Sequence, residues 1–329
     1  MTGADPAGQP TPSPVRVRAP GKAMLVGEYA VLDGSPAVVA AIDSFAEAML
    51  PADSQAAPSP FIVAAQAGCQ KALHGRGLDL PASLLDRLPL VDTASFARDG
   101  RKLGLGSSAA ATVAAVGCWY AAAGLDLESD EVRRELAATA RAAHDAAQGV
   151  RGSGSDILAS TWGGLRIVDS GAEAAVPTRL RLPSGLCLRL IATTESASTA
   201  QLVARYRQAG DATLPARRLL AGAAQDFIAA CQAGASGPAL QAIETALDGY
   251  VQLGSAIGCA LATAEHLAIA SAVRSLGGAA KPSGAGGGDL AVALLPDEVS
   301  AQRLADRLPA TLLLLPLQVS DRGLHRVHH

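Results

Sequence analysis

At 329 residues, 49% hydrophobic and 17% charged, the chain can bury one large core or two modest ones, which excludes a mainly disordered protein. A formal net charge of −3 offers no basic field for nucleic acid or an anionic membrane. No apolar run reaches the ~20 residues of a bilayer span, and five cysteines without a CxxC pair exclude a disulfide framework or zinc finger and leave the cytoplasm as the expected compartment.

Residues 1–14, rich in Pro and Gly with no apolar stretch, read as a disordered tail and not a signal peptide. Short β-like runs broken by Gly and Pro predict strands and turns from Val15 to Leu50. A helix is expected over about Phe61–His74, then a strand over 88–96 and a glycine loop at Leu103–Ser108. Ala109–Ala123 is apolar and long enough for a buried helix. Asp130–Gln148 has an acidic first turn and helical periodicity. After a Gly/Ser loop, strands are expected within 163–170 and 179–195, and mainly helices between Ser198 and Leu276. A glycine run (284–289), a strand (290–296), a helix near Ser300–Leu308 and a strand at 311–319 complete the pattern. No repeat and no regular βαβ alternation is visible, so the expected class is α+β, divided into an N-terminal unit 15–185 and a C-terminal unit 186–329.

Three glycine-containing segments carry the chemistry. Gly104-Leu105-Gly106-Ser107-Ser108-Ala109 opens the 109–123 helix, with Lys102 two residues upstream. Glycine permits a tight turn, and free N–H groups at a helix start favour an anion. Without GK[ST] this is not a Walker A loop, and taken alone it also suits an ordinary tight turn with an N-cap. The second segment is Lys281-Pro282-Ser283-Gly284-Ala285-Gly286-Gly287-Gly288-Asp289, anchored by the strand after it. The third is Ala19-Pro20-Gly21-Lys22 followed by Gly27-Glu28-Tyr29. Only four of the 27 basic residues are Lys, and three of those (Lys22, Lys102, Lys281) stand beside these segments, as compact point charges.

Taken in chain order (19–29, 104–109, 281–289), the segments resemble the three signature motifs of the GHMP kinases. Within that family, Gly27–Leu32 (GEYAVL), Gln148–Ile157 (with one extra residue) and Ala197–Val203 (ASTAQLV) are similar to the phosphomevalonate kinases, whereas Thr161-Trp162-Gly163-Gly164 looks equally like mevalonate kinases. The resemblance implies two domains: an N-terminal one like domain 2 of ribosomal protein S5, with a left-handed βαβ crossover, and a ferredoxin-like C-terminal one. It implies ATP and Mg²⁺ as cofactors. The implied reaction is phosphorylation of 5-phosphomevalonate to 5-diphosphomevalonate in the mevalonate route to isoprenoids. The partner is a small phosphorylated substrate, with neither nucleic acid nor membrane, in a monomer or homodimer. The alternatives are a mevalonate kinase, a related decarboxylase and a non-catalytic binding protein of the same fold.

Residue by residue, the resemblance makes Asp156 and Lys22 the catalytic pair, Lys22 holding Asp156 ionised. It gives ATP to Lys102, Gly104, Leu105, Gly106, Ser107, Ser108 and Ala109. It gives the metal to Ser108, with Ser107 as the alternative serine, and to Asp145, although Asp145 equally suits a solvated helix face. It gives the acceptor to Lys22, Glu28, Tyr29, Arg151, Ser153, Ser155, Ser196, Ser198, Lys281, Ser283, Gly284, Ala285 and Gly286. Arg205 is a further candidate cation that also reads as a solvated helix charge. Without the resemblance, Asp156 in GSGSD reads as turn or N-cap chemistry.

Overall fold

The computed structural model describes residues 14–50, 59–78, 80, 84, 87–149, 151–169 and 176–327; the predicted tail lies almost wholly outside them. The two longest strands are β1 (Val15–Val26) and β2 (Ala37–Leu50), paired antiparallel. Buried and accessible residues alternate at the start of β1 and the end of β2, as in a sheet covered on one face, while the adjoining halves are buried on both. The sheet is completed by β3 (Leu90–Asp92), β6 (Leu165–Val168), β7 (Arg179–Leu180) and β12 (His325–Arg326), in the order β12-β1-β2-β6-β7 with β3 also on β2. A short hairpin, β4 (Ala97–Arg98) with β5 (Arg101–Lys102), stands apart.

Helix α1 spans Pro60–Gly75, α2 Ser107–Ala122, α3 Asp130–Gln148 and α4 Ser155–Trp162. Nearly every residue of α2 is buried, because it lies on β1 and β2 beneath α1 and α3. Gly117 lets it sit close: an added Cβ would stand 2.9 Å from Leu324 and 3.0 Å from Val17.

The second sheet holds β8 (Cys187–Ala192), β9 (Ala279–Pro282), β10 (Leu290–Leu295) and β11 (Leu313–Leu315), all antiparallel in the order β11-β8-β10-β9. With the helices between β8 and β9 and between β10 and β11, this is the split βαβ arrangement of ferredoxin-like domains. Those helices are α5 (Thr199–Ala209), α6 (Leu214–Ala233), α7 (Ser236–Ile257) and α8 (Ala264–Arg274), then α9 (Glu298–Arg303). Among the described residues no helix is long and apolar enough to cross a membrane.

After β11 the chain returns to the first sheet. Ser320 N donates to Ala41 O (2.9 Å), Gly164 N to Ser320 O (2.7 Å), and β12 pairs with β1. The partition at 185/186 therefore describes two sheets and not two separable lengths of chain.

Four expectations shift. The 88–96 strand is β3 plus a 3-10 turn at Ala94–Phe96. The 109–123 helix starts at Ser107, because left-handed Gly106 (φ 75°) makes the turn. The 300–308 helix is α9 plus a 3-10 turn at Ala305–Arg307. The 311–319 strand shortens to β11, because the chain leaves for the first sheet.

Candidate active site

A cavity of about 810 Å³ is lined by β1, the turn after it, the 104–108 loop, the 151–157 segment, residues 193–203 and the 284–289 turn. Helix α2 enters its wall at Gly106 with no side chain capping its first turn. The Ser107 and Ser108 amides find no acceptor among the described residues. Helix α4 also starts from a left-handed glycine, Gly154 (φ 72°), but two of its first amides are taken by side chains, Ser155 N by Ser153 Oγ (3.4 Å) and Ile157 N by Asp156 Oδ1 (2.9 Å). The open start of α2 thus presents a positive dipole end to the cavity, an arrangement suited to a phosphate.

Lys22 lies between the first and second glycine segments. Its amide donates to Leu105 O (2.8 Å), and its stem crosses Gly106, where an added Cβ would stand 3.0 Å from Lys22 Cγ. Its ammonium lies 3.6 Å from where a Cβ on Gly284 would be. Gly104 permits an equally close approach: its Cβ would stand 2.8 Å from that of Asp289. Burial pushes the Asp289 carboxyl above its ordinary range, against the opposing pull of the Ala197 amide and of Lys22 and Lys102.

Lys102, Arg101 and Arg151 add positive charge to the wall. Arg101 donates to the carbonyls of Thr193 and Thr194, and Thr194 N donates to Glu265 (2.8 Å), so the β4–β5 hairpin is strapped to the second domain. Ser153 and Ser155 share a hydrogen bond of 2.9 Å. Asp145 lines the cavity but accepts from Gly152 N (3.3 Å) and lies 3.8 Å from Arg141. Sequence reasoning missed His144, which is 4% exposed, stacked on Phe61 and 3.1 Å from Ser108 Oγ. Nothing local in an Ala-rich helix marks it. Arg101, Thr193, Thr194 and Glu195 also escaped notice, since only the fold brings them to the wall.

Several expected ligand residues stand elsewhere. Lys281 is 0% exposed and gives its ammonium to Glu28 Oε1 and Pro282 O, both at 2.5 Å, beneath the ring of Tyr250. Burial pulls Lys281 below the usual lysine range and Glu28 opposes that pull. It presents no charge to the cavity, because Glu28 has already taken it. Ser283 exchanges hydrogen bonds with the Met24 backbone (3.0 and 3.1 Å). Gly286 faces Leu261, whose carbonyl oxygen would stand 2.6 Å from an added Cβ. Ser198 caps α5 through Gln201 N, Ala109 is wholly buried, and Arg205 is exposed on α5 away from the cavity. Lys22 and Asp156 both line the cavity, but among the described residues no ion pair joins them, against the expected pairing. Glu28, Tyr29, Arg151, Ser153, Ser155, Ser196, Gly284 and Ala285 do line it.

The hydroxyl and carboxylate oxygens here (Ser107, Ser108, Asp145, Asp156) are hard donors of the kind Mg²⁺ takes. No group of three His, Cys, Asp or Glu among the described residues could hold a metal ion by itself. The set therefore fits a Mg²⁺ that draws its remaining ligands from phosphate and water.

Residues 91–164 match the family described as GHMP kinases N terminal domain, and residues 265–312 match GHMP kinases C terminal. Phosphomevalonate kinase of Streptomyces sp. (strain CL190) is 32% identical over 346 residues, covering 86% of this chain and 90% of that protein. In fold, the chain is similar to a Lin0012 protein from Listeria innocua (TM-score 0.83, 20% identity, 96% of this chain and 100% of that one). It is similar also to Streptococcus pneumoniae phosphomevalonate kinase in complex with phosphomevalonate and AMPPNP (TM-score 0.77, 22% identity, 92% and 99%).

Proposed function

The chain belongs to the GHMP kinases, and from that membership we propose that it transfers the γ-phosphoryl group of ATP to the phosphate of 5-phosphomevalonate, giving ADP and 5-diphosphomevalonate. The observation that carries this reading is the cavity itself. The uncapped start of α2 and the cations Lys22, Lys102, Arg101 and Arg151 meet there, enough to hold two polyanions against each other. The similarity over most of both chains to a phosphomevalonate kinase selects the acceptor.

In the reaction an oxygen of the acceptor phosphate forms a bond to the γ-phosphorus, and the bond from that phosphorus to the β,γ-bridging oxygen breaks, releasing ADP. Little covalent help is needed; positioning and charge neutralisation do the work. The 104–108 amides hold the nucleotide phosphates, with Lys102 alongside. Lys22, between Gly106 and Gly284, sits where donor and acceptor phosphates meet and neutralises charge on the transferring group. An acceptor phosphate is largely ionised at neutral pH, so Asp156 orients the attacking oxygen and holds whatever proton it still carries. Arg151, Ser153, Ser155 and Ser196 hold the acceptor. Ser108, with Asp145 at longer reach, would hold Mg²⁺, which when bound neutralises phosphate charge.

An ADP-release assay over 5-phosphomevalonate, mevalonate, homoserine and galactose tests the reading. The kcat/KM on 5-phosphomevalonate is expected to exceed that on mevalonate at least about tenfold, or ~1.4 kcal/mol of transition-state binding. Faster turnover of mevalonate would replace the phosphate acceptor by an alcohol.

A further inference from the structure

Ser108 stands on the first turn of α2 with its hydroxyl 3.1 Å from His144 Nε2. His144 comes from α3, is 4% exposed, and its ring lies on that of Phe61 at 5.0 Å and 30°. Packing therefore fixes the imidazole plane. The amide nitrogen of Gln148, one turn along α3, approaches the same Nε2 at 3.5 Å. An amide nitrogen can only donate, so Nε2 serves as the acceptor in this pair. The Ser108 hydroxyl, 3.1 Å from the same nitrogen, is placed to donate to it as well.

A hydroxyl has one hydrogen and two lone pairs. Once its hydrogen is committed to His144, Ser108 has only lone pairs for the cavity. A group that can only accept does not serve a phosphate oxygen, which also only accepts, but it does serve a cation. Ser107, beside it on the cavity wall, makes no side-chain hydrogen bond among the described residues and keeps its hydrogen for phosphate. Adjacent serines on one helix start thereby acquire different tasks, and the difference comes from a side chain on another helix.

We propose that His144 is a positioning residue that takes the Ser108 hydroxyl hydrogen and so turns the Ser108 oxygen into a ligand for the nucleotide-bound divalent cation, leaving Ser107 to the phosphates. This deepens the kinase reading and rests on it only for the presence of a metal–nucleotide complex. The arrangement is the serine counterpart of the outer hydrogen bonds that orient metal-binding side chains, whose loss costs about 10–100-fold in metal affinity.

The test is calorimetric titration of ATP, without acceptor, at saturating Mg²⁺ and again with the metal removed by a chelator. The wild type, His144→Leu, His144→Gln and Ser108→Ala are compared, with circular dichroism as the control for folding. His144→Leu should lose about tenfold of the Mg²⁺-dependent gain in ATP affinity, while metal-free ATP binds as before. His144→Gln, whose side-chain carbonyl can accept in place of Nε2, should keep most of the gain. Adding His144→Leu to Ser108→Ala should change nothing further. Equal losses with and without metal, or an undiminished gain in His144→Leu, overturn the proposal. If His144→Leu does not fold, Ser108→Ala decides: a full Mg²⁺-dependent gain in that variant overturns it. Since no acceptor is present, the outcome does not depend on whether 5-phosphomevalonate is the substrate.

Discussion

The loop at 103–108 and the turn at 281–289 are alike in composition, both glycine-rich and both led by a lysine, yet they do opposite things. The first leaves its polar groups open: the Ser107 and Ser108 amides have no acceptor among the described residues, and Lys102 is exposed on the cavity wall. The second uses its groups up inside the protein. Lys281 is held by Glu28, Ser283 by the Met24 backbone, the Gly284 carbonyl by Tyr250, the Ala285 carbonyl by Tyr29 at 2.6 Å, and Gly287 N by Leu261 O at 2.7 Å. Three of those partners, Met24, Glu28 and Tyr29, stand at the other end of the chain, in the first domain. The turn is thus a clasp between the domains, and its glycines admit neighbouring backbone where the loop's admit Lys22 and Asp289. Glycine content marks close approach; what approaches is decided by whether the local donors are already taken.

The comparison breaks most visibly if chemistry and stability fail to separate between the two segments. On the open side, Lys22→Met and Asp156→Asn should each lower kcat by roughly 10²–10⁴ with the urea midpoint unchanged. A variant of either residue that keeps full kcat removes it from the mechanism.

On the clasp side the loss should be of stability. Lys281→Met leaves Glu28 charged and unpaired at 2% exposure, with its Oε2 already lacking a partner, and should cost about 3–5 kcal/mol in chemical unfolding. Glu28→Gln with Lys281→Met removes both charges and should recover most of that. Equal losses in the single and double variants would show that the pair itself contributes little.

The smallest effect sharpens the same contrast through pH. His266 caps α8 against Thr263 and approaches Leu290 O at 3.4 Å, next to the clasp, and burial pulls its pKa down to about 4. The unfolded chain therefore binds a proton that the folded one refuses between about 4 and the ordinary value near 6.5. Stability should fall as pH drops through that window, by roughly 1–2 kcal/mol from pH 7 to 5. Replacing the residue by Gln should flatten the slope in denaturant titrations at the two pH values, and an unchanged slope would assign the dependence to other groups.

Much of this was legible locally. Helix α3 follows its periodicity to both ends, and the GLGSS loop carries in its own residues the turn, the helix start and the hydroxyls. The α+β class follows from where strands and breakers fall, whereas the two domains were implied by the family resemblance. What could not be read was pairing at a distance. Lys281 looked like a ligand cation because its neutralising partner stands 253 residues earlier. The resemblance made Asp156 and Lys22 a pair, whereas the fold sets them on the same cavity without joining them. His144 was invisible because a helix of alanines gives no hint of which face meets Ser108.

The return of the chain to its first sheet bears on how the protein is made. Strand β1 is synthesised long before its partners, for Val17 and Arg18 pair with Arg326 and His325. Until they arrive it presents an unpaired edge, the kind of surface on which nascent chains associate wrongly. The 318–324 segment cannot be replaced by looser packing: an added Cβ on Gly323 would stand 2.2 Å from Thr161 O, so backbone lies directly on backbone there. Such distant closures slow folding. No single cut of the polypeptide yields two intact sheets, so a fragment ending near residue 185 should be poorly soluble, whereas the same fragment supplied with a 316–327 peptide regains its missing edge.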